Sequence, residues 1–173
     1  MFKLGDLVSY KLRSSGHTGR AWNKSAHFYQ FTGVVEYADN DSVIITYASF
    51  SRDGSEYLER TAKFTQRKSG NWIEQGHSED PKGRNILTHY DLKELTELYE
   101  VDPSLTIAAK KLGLNLVSII KNNLQGEINR SLDYIQKVQS DQDYNDLHKQ
   151  KVADWTNRDI QKYKEKLNKL EAA

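Results

Sequence analysis

Over the first 80 residues, apolar and polar positions alternate with a period of two, the pattern of half-buried β-strands. In "DLVSYKL", Leu7, Ser9 and Lys11 fall on one side and Val8, Tyr10 and Leu12 on the other. "TGVVEYADNDSVIITYASF" is two β-rich runs around "DND", which predicts a hairpin. "TAKFTQRKSGNWIEQG" predicts another, with "SG" in the turn and Phe64, Trp72 and Ile73 on its arms. "SSGHTGRAWNKSAHF" shows no clear period and holds two glycines, so it predicts a long loop. Residues 76–84, "GHSEDPKGR", carry Gly, Pro and mixed charge, as a linker does.

From residue 88 the period becomes helical. Leu92, Leu95, Leu98 and Tyr99 recur at spacings of three and four, and Thr88 with Asp91 fits a capping-box start. Asp102 and Pro103 fit an N-cap followed by proline at the first helical position, for a second helix that stops at Gly113. Asn115 can cap a third helix, which Gly126 ends or interrupts. Beyond it Ile128, Leu132, Ile135 and Val138 form a stripe. A polar break at "SDQDYND" precedes a last helix with Trp155, Ile160, Tyr163, Leu167 and Leu170 on its apolar side. Packing, on the chain's own core or on a second copy, is the role expected for Trp155 and Tyr163. The stripe breaks strict heptads, which argues against a long coiled coil.

The third helix carries the functional question. At about 100° per residue, Leu116, Val117, Ile119, Ile120 and Leu124 fill one arc of roughly 160°, with Asn123 the only polar member. The opposite arc holds Ser118, Lys121, Asn122 and Gln125. Those side chains suit a helix reading duplex DNA. Asn and Gln pair bidentately with adenine, Lys reaches guanine or phosphate, and Ser both donates and accepts. In the preceding helix, Ala108 and Ala109 permit a close crossing, and Gly113 supplies the left-handed residue of a sharp turn.

Residues 88–125 resemble the helix-turn-helix family of DNA-binding domains. That pattern has an Ala four residues before a turn Gly, an apolar residue after the Gly and another six after it; here these are Ala109, Gly113, Leu114 and Ile119. Leu92, Leu95 and Leu98 then belong to the supporting helix. Leu116 and Val117 stand where the family usually has polar groups, and Asn122 and Asn123 where it often has an apolar one. One extra residue in the turn reconciles both departures. Without it, Leu116, Val117 and Ile120 form an exposed apolar patch suited to a protein partner. The resemblance implies contact with duplex DNA, with Lys110 and Lys111 near phosphates, and a dimer would suit two-fold sites.

The β-rich half, "LGDLVSY … FTGVVEYADNDSVIITY", resembles small SH3-like barrels, including the KOW type, through Gly5, Asp6 and Gly33. The intervening loop sets Arg13, Arg20 and Lys24 among His17, Trp22, His27, Phe28 and Tyr29, a mixture that suits phosphate contact with base stacking. Lys63, Thr65 and Arg67 share one strand face, and a cationic tip at Arg67 and Lys68 could follow a phosphate backbone.

Composition narrows the function classes. The formal charge is +1, but cations cluster in residues 11–30, 60–73 and 105–124, which hold no acid. No cysteine is present, which removes disulfides, thiolate metal sites and a thiol nucleophile. The five histidines are never closer than ten residues, so no helical pair binds zinc. An EF-hand loop from Asp141 fails, because Asp146 and Val152 replace its glycine and glutamate. There is no P-loop and no Gly-x-Ser-x-Gly elbow. No apolar run approaches the roughly 20 residues that span a bilayer, and the first residues lack a signal peptide's apolar core.

The expectation is an α+β chain: an SH3-like domain over residues 1–80, a linker at 81–87, and a helical domain over 88–173. It is a cytoplasmic, non-enzymatic DNA-binding protein without cofactor or metal, of a phage or mobile-element regulator type. The rival expectation is a protein-binding inhibitor or adaptor of a nucleic-acid enzyme, such as an anti-CRISPR protein.

Overall fold

The computed structural model describes residues 1–13, 28–50, 56–78, 86–98 and 101–172. The aromatic and basic loop with Arg20 and Lys24, and most of the expected linker, lie outside the described residues.

Six strands form one antiparallel sheet: β1 (Leu7–Arg13), β2 (Phe28–Ala38), β3 (Ser42–Phe50), β4 (Tyr57–Gln66), β5 (Trp72–Glu74) and β6 (Leu87–His89). Their order is β5-β4-β3-β2-β1-β6, and a bridge between Ile73 and Ile86 nearly closes the sheet into a barrel. Period-two alternation sends Val8 and Tyr10 of β1, Val43 and Ile45 of β3, and Ala62 and Phe64 of β4 into one core. Tyr10 and Phe64 meet edge to face at 4.9 Å, as do Phe2 and Trp72 at 5.8 Å. The two expected hairpins are present. Asp39 closes the first by accepting from the N–H groups of Asp41 and Ser42 and from the Tyr37 hydroxyl. Gly70 turns the second with φ +88.

Two features of β2 shape what packs on it. Gly33 lies 2.9 Å, measured from an ideal Cβ position, from the Thr46 carbonyl, so no side chain fits there. The β2–β3 register shifts between Val35 and Tyr37, which makes Glu36 the extra residue of a bulge.

Three helices complete the described architecture: α1 (Pro103–Lys111), α2 (Leu116–Ser140) and α3 (Asp146–Glu171). The chain forms two compact units, the first made of residues 1–90 and 101–114, the second of residues 91–100 and 115–173. In the first unit α1 packs on β2 and β3. Asp102 caps it by accepting from Leu105 N–H at 2.7 Å, and Pro103 follows as its first residue. Ser104 takes Thr32 N–H at 2.9 Å and gives its own proton to Asp102. Leu105, Ala108 and Ala109 are buried, so the small residues allow close approach to the sheet where the sequence suggested a crossing of two helices.

In the second unit α2 and α3 form an antiparallel hairpin, tied near its loop by Gln139 and Lys149, each of which takes the other's backbone carbonyl. Ile120, Leu124, Ile128, Val138, Thr156 and Ile160 are buried in it. Several expectations need correction here. Residues 87–89 are strand, so Thr88 starts no helix, and Asp91 instead caps a single 3-10 turn at Leu92–Glu94. The supporting helix expected from residue 88 is therefore absent among the described residues; Leu95 is buried but Leu98 is exposed. Helix α2 runs straight through Gly126. Leu132 and Trp155 are exposed, and Ser131 and Thr156 hold the inward positions next to them. A one-residue offset rotates a helical side chain by about 100°, which is enough to take it off the seam.

Candidate nucleic-acid interface

The turn before α2 is built by local chemistry. Gly113 has φ +67, donates its N–H to Lys110 O at 3.2 Å, and is followed by Leu114 N–H to Ala109 O at 2.9 Å. This pair of bonds is a Schellman motif, which satisfies the last carbonyls of α1. Asn115 then starts α2 by accepting from Ser118 N–H at 3.0 Å. Four residues, 112–115, separate the two helices.

Helix α2 is oriented as its wheel requires. Ile120 and Leu124 have no exposed surface, Leu116 and Ile119 are half-buried, and Val117 is 37% exposed. On the other side Ser118, Asn122 and Gln125 are exposed and Lys121 is half-buried. Gln125 donates to Asn129 at 3.0 Å, which extends the amide-bearing face by one turn. The four residues proposed from sequence thus share the first turns of one helix. No acidic side chain stands before Glu127 on it, so the dipole at its N-terminus favours an anion nearby.

Asn123, the polar member of the apolar arc, has a structural task. Its amide donates to the carbonyls of Leu92 at 2.6 Å and Leu95 at 2.8 Å, and holds the segment around the 3-10 turn on α2. Lys166 of α3 holds the same segment through Glu97. The signal in the sequence was a lone amide inside an oily arc, which needs partners when half-buried.

The other sequence-derived cations fare unequally. Lys110 is exposed in the last turn of α1. Lys111 is ion-paired with Glu36, which the β2 bulge presents to it. The hydrogen bond between them holds the Glu36 carboxyl below its usual range and raises the Lys111 ammonium. A cation so paired has less to offer a phosphate. Arg67 donates to the His77 carbonyl at 2.9 Å, and Lys68 is exposed at the β4–β5 turn. Arg13 lies in β1, but its side chain falls outside the described set.

Among the described residues no group of three or more His, Asp or Glu side chains is placed to hold a metal. No described helix is long and apolar enough to cross a membrane. The Tyr10 hydroxyl, carried by the middle of β1, donates to Glu74, and Glu74 also lies 3.5 Å from His77. Burial and Glu74 push the Tyr10 hydroxyl far above its ordinary range, so it serves as a donor and not as a base. No protein-family model, curated protein or solved structure matches this chain.

Proposed function

We propose that this protein binds duplex DNA without catalysing a reaction on it, through the solvent-facing arc at the start of α2. The observation that carries the reading is the sidedness of that helix: Ile120 and Leu124 are fully buried while Ser118, Asn122 and Gln125 face water. An arc of amides and a hydroxyl matches adenine edges in the major groove, and Lys121 is the cation of the same helix turns available to a phosphate. The rival reading, a protein partner bound at this helix, needs Leu116, Val117 and Ile120 outside. Ile120 is buried, Leu116 half-buried and Val117 37% exposed, which favours the DNA reading.

Fluorescence anisotropy with a labelled random duplex at about 50 mM salt tests it. Binding in the micromolar range, weakening steeply as salt rises, is expected. Lys121→Gln should make that salt dependence shallower by about 0.9 in the log–log slope, the share of one phosphate contact. Absence of binding, or binding indifferent to salt, would overturn the reading. Recovery of one protein from a lysate despite nuclease treatment, with no duplex binding, would replace it by the protein-partner alternative.

A further inference from the structure

Helix α2 carries a narrow row of uncharged hydrogen-bonding side chains on its water-facing side. Ser118, Asn122, Gln125 and Asn129 follow one another at spacings of four, three and four residues. At about 100° per residue they fall within about 60° of one another, along about 16 Å of helix. All four are exposed. Lys121 flanks the row about 40° from Gln125. Glu127, the acid within these turns, lies about 170° around from the middle of the row and is paired with Arg130. Asp133, one turn beyond Asn129, ends the row.

Within the row one amide holds another. Gln125 Nε2 donates to Asn129 Oδ1 at 3.0 Å. A side-chain amide has two N–H donors and one carbonyl oxygen. With one N–H given to Asn129, Gln125 keeps one N–H beside its carbonyl, a single donor next to a single acceptor. Adenine offers the complement on its major-groove edge, the N7 acceptor and the N6 amino group. Guanine offers two acceptors there, N7 and O6, and calls for two donors, as a guanidinium or an ammonium supplies. The row has no arginine, and its neighbour Lys121 is half-buried. Asn122, three residues before Gln125, adds a second amide about 4.5 Å along the axis. That interval is close to the step of about 3.4 Å between base pairs.

We propose that Asn129 is a positioning residue, which fixes the Gln125 amide in the orientation that selects A·T pairs over G·C pairs in the major groove. The proposal rests on the duplex reading above and names the duplexes that this site prefers. A free glutamine side chain gives up rotamer freedom when it docks, and one already tied to its neighbour gives up less. Asn129 acts through Gln125 and not on a phosphate of its own, because the charge of Asp133 one turn beyond it repels one.

The test uses the full chain with labelled duplexes at about 50 mM salt, identical except for a central block of A·T or of inosine·cytosine pairs. An inosine·cytosine pair presents guanine's N7 and O6 in the major groove and, lacking the 2-amino group, the minor-groove pattern of an A·T pair. The comparison therefore separates the major-groove edge from the minor groove. The natural chain should bind the A·T duplex about tenfold tighter or more. Asn129→Ala should cut that ratio about threefold, the cost of immobilising one released side chain, with ellipticity at 222 nm unchanged. Asn129→Asp keeps the accepting oxygen, so both affinities should fall through charge repulsion while the ratio holds. Equal binding of the two duplexes by the natural chain overturns the proposal and leaves the duplex reading standing. A ratio that Asn129→Ala leaves intact, or that Asn129→Asp lowers as much as Ala does, overturns the role of Asn129. A chain that binds neither duplex refutes the duplex reading, and the proposal with it.

Discussion

Asn123→Ala isolates what the covering segment contributes to the helical unit. The Asn123 amide supplies two donors, to Leu92 O at 2.6 Å and Leu95 O at 2.8 Å. The Leu92 carbonyl keeps a second donor, Leu95 N–H at 3.3 Å, and the Leu95 carbonyl has none among the described residues. Losing one replaceable hydrogen bond costs about 0.5–1.5 kcal/mol, and stranding a buried acceptor about 1–3 kcal/mol. With Leu95 4% exposed, a total of about 2 kcal/mol is expected. For a unit of this size that is roughly 8–16 °C in Tm. Ellipticity at 222 nm is the suitable readout, because α2 and α3 hold 25 and 26 residues and dominate the helical signal. A two-unit chain need not unfold in one step, so the transition followed must be the helical one. Asn123→Asp sharpens the argument. At pH 7 its carboxylate faces two carbonyls with no donor, and it should be less stable than Asn123→Ala. Those carbonyls raise its pKa above the unfolded value of about 3.9. The penalty is present above the folded pKa and is lost as pH falls below it, when the acid regains a donor. An Asn123→Ala Tm within about 2 °C of the natural chain would refute the reasoning, as would an Asp variant no less stable than the Ala variant at pH 7.

Other perturbations probe the remaining supports. Gly33→Ala places a Cβ 2.9 Å from a backbone carbonyl and should cost about 1–3 kcal/mol by overpacking, seen as a lower urea midpoint for the barrel. Gly113→Ala meets no atom within 4 Å but keeps φ +67, so it should cost only about 1 kcal/mol; equal losses for the two glycines would contradict this. The Tyr10 hydroxyl should stay protonated beyond pH 11 in the folded chain. Its folded pKa is raised, so its contribution is complete below the unfolded value of about 10 and is lost as pH climbs beyond it. Ultraviolet titration of Tyr10→Phe beside the natural chain should remove one late-ionising tyrosine, and an unchanged late phase would count against that assignment.

Where a few neighbouring residues settle the physics, the sequence was a good guide. The Asp102 cap, Pro103, the Gly113 turn, the Asn115 cap and both hairpins stand where local rules put them. Errors came where a local rule met a competitor elsewhere in the chain. Thr88 and Asp91 satisfy a capping pattern, but β1 offers residues 87–89 a ladder of backbone bonds 70 or more residues away. Gly126 lowers helix propensity by about 1 kcal/mol, which the burial of Leu124 and Ile128 on either side outweighs. Trp155 belongs to the apolar stripe by spacing, with packing on the chain's own core or on a second copy as its expected role; within the hairpin Thr156 takes the buried place and Trp155 is exposed.

By itself, then, the order of residues determined the strand-then-helix architecture, the turns and caps, and which arc of α2 is oily. Those depend on backbone preference and periodicity, which act over a few residues. Only the folded chain decided that α1 lies on the sheet, that Glu36 occupies Lys111, and that Asn123 secures residues 92–95. Each of these joins groups far apart in sequence or compares two elements' rotations, and such relations exist only once the elements have packed.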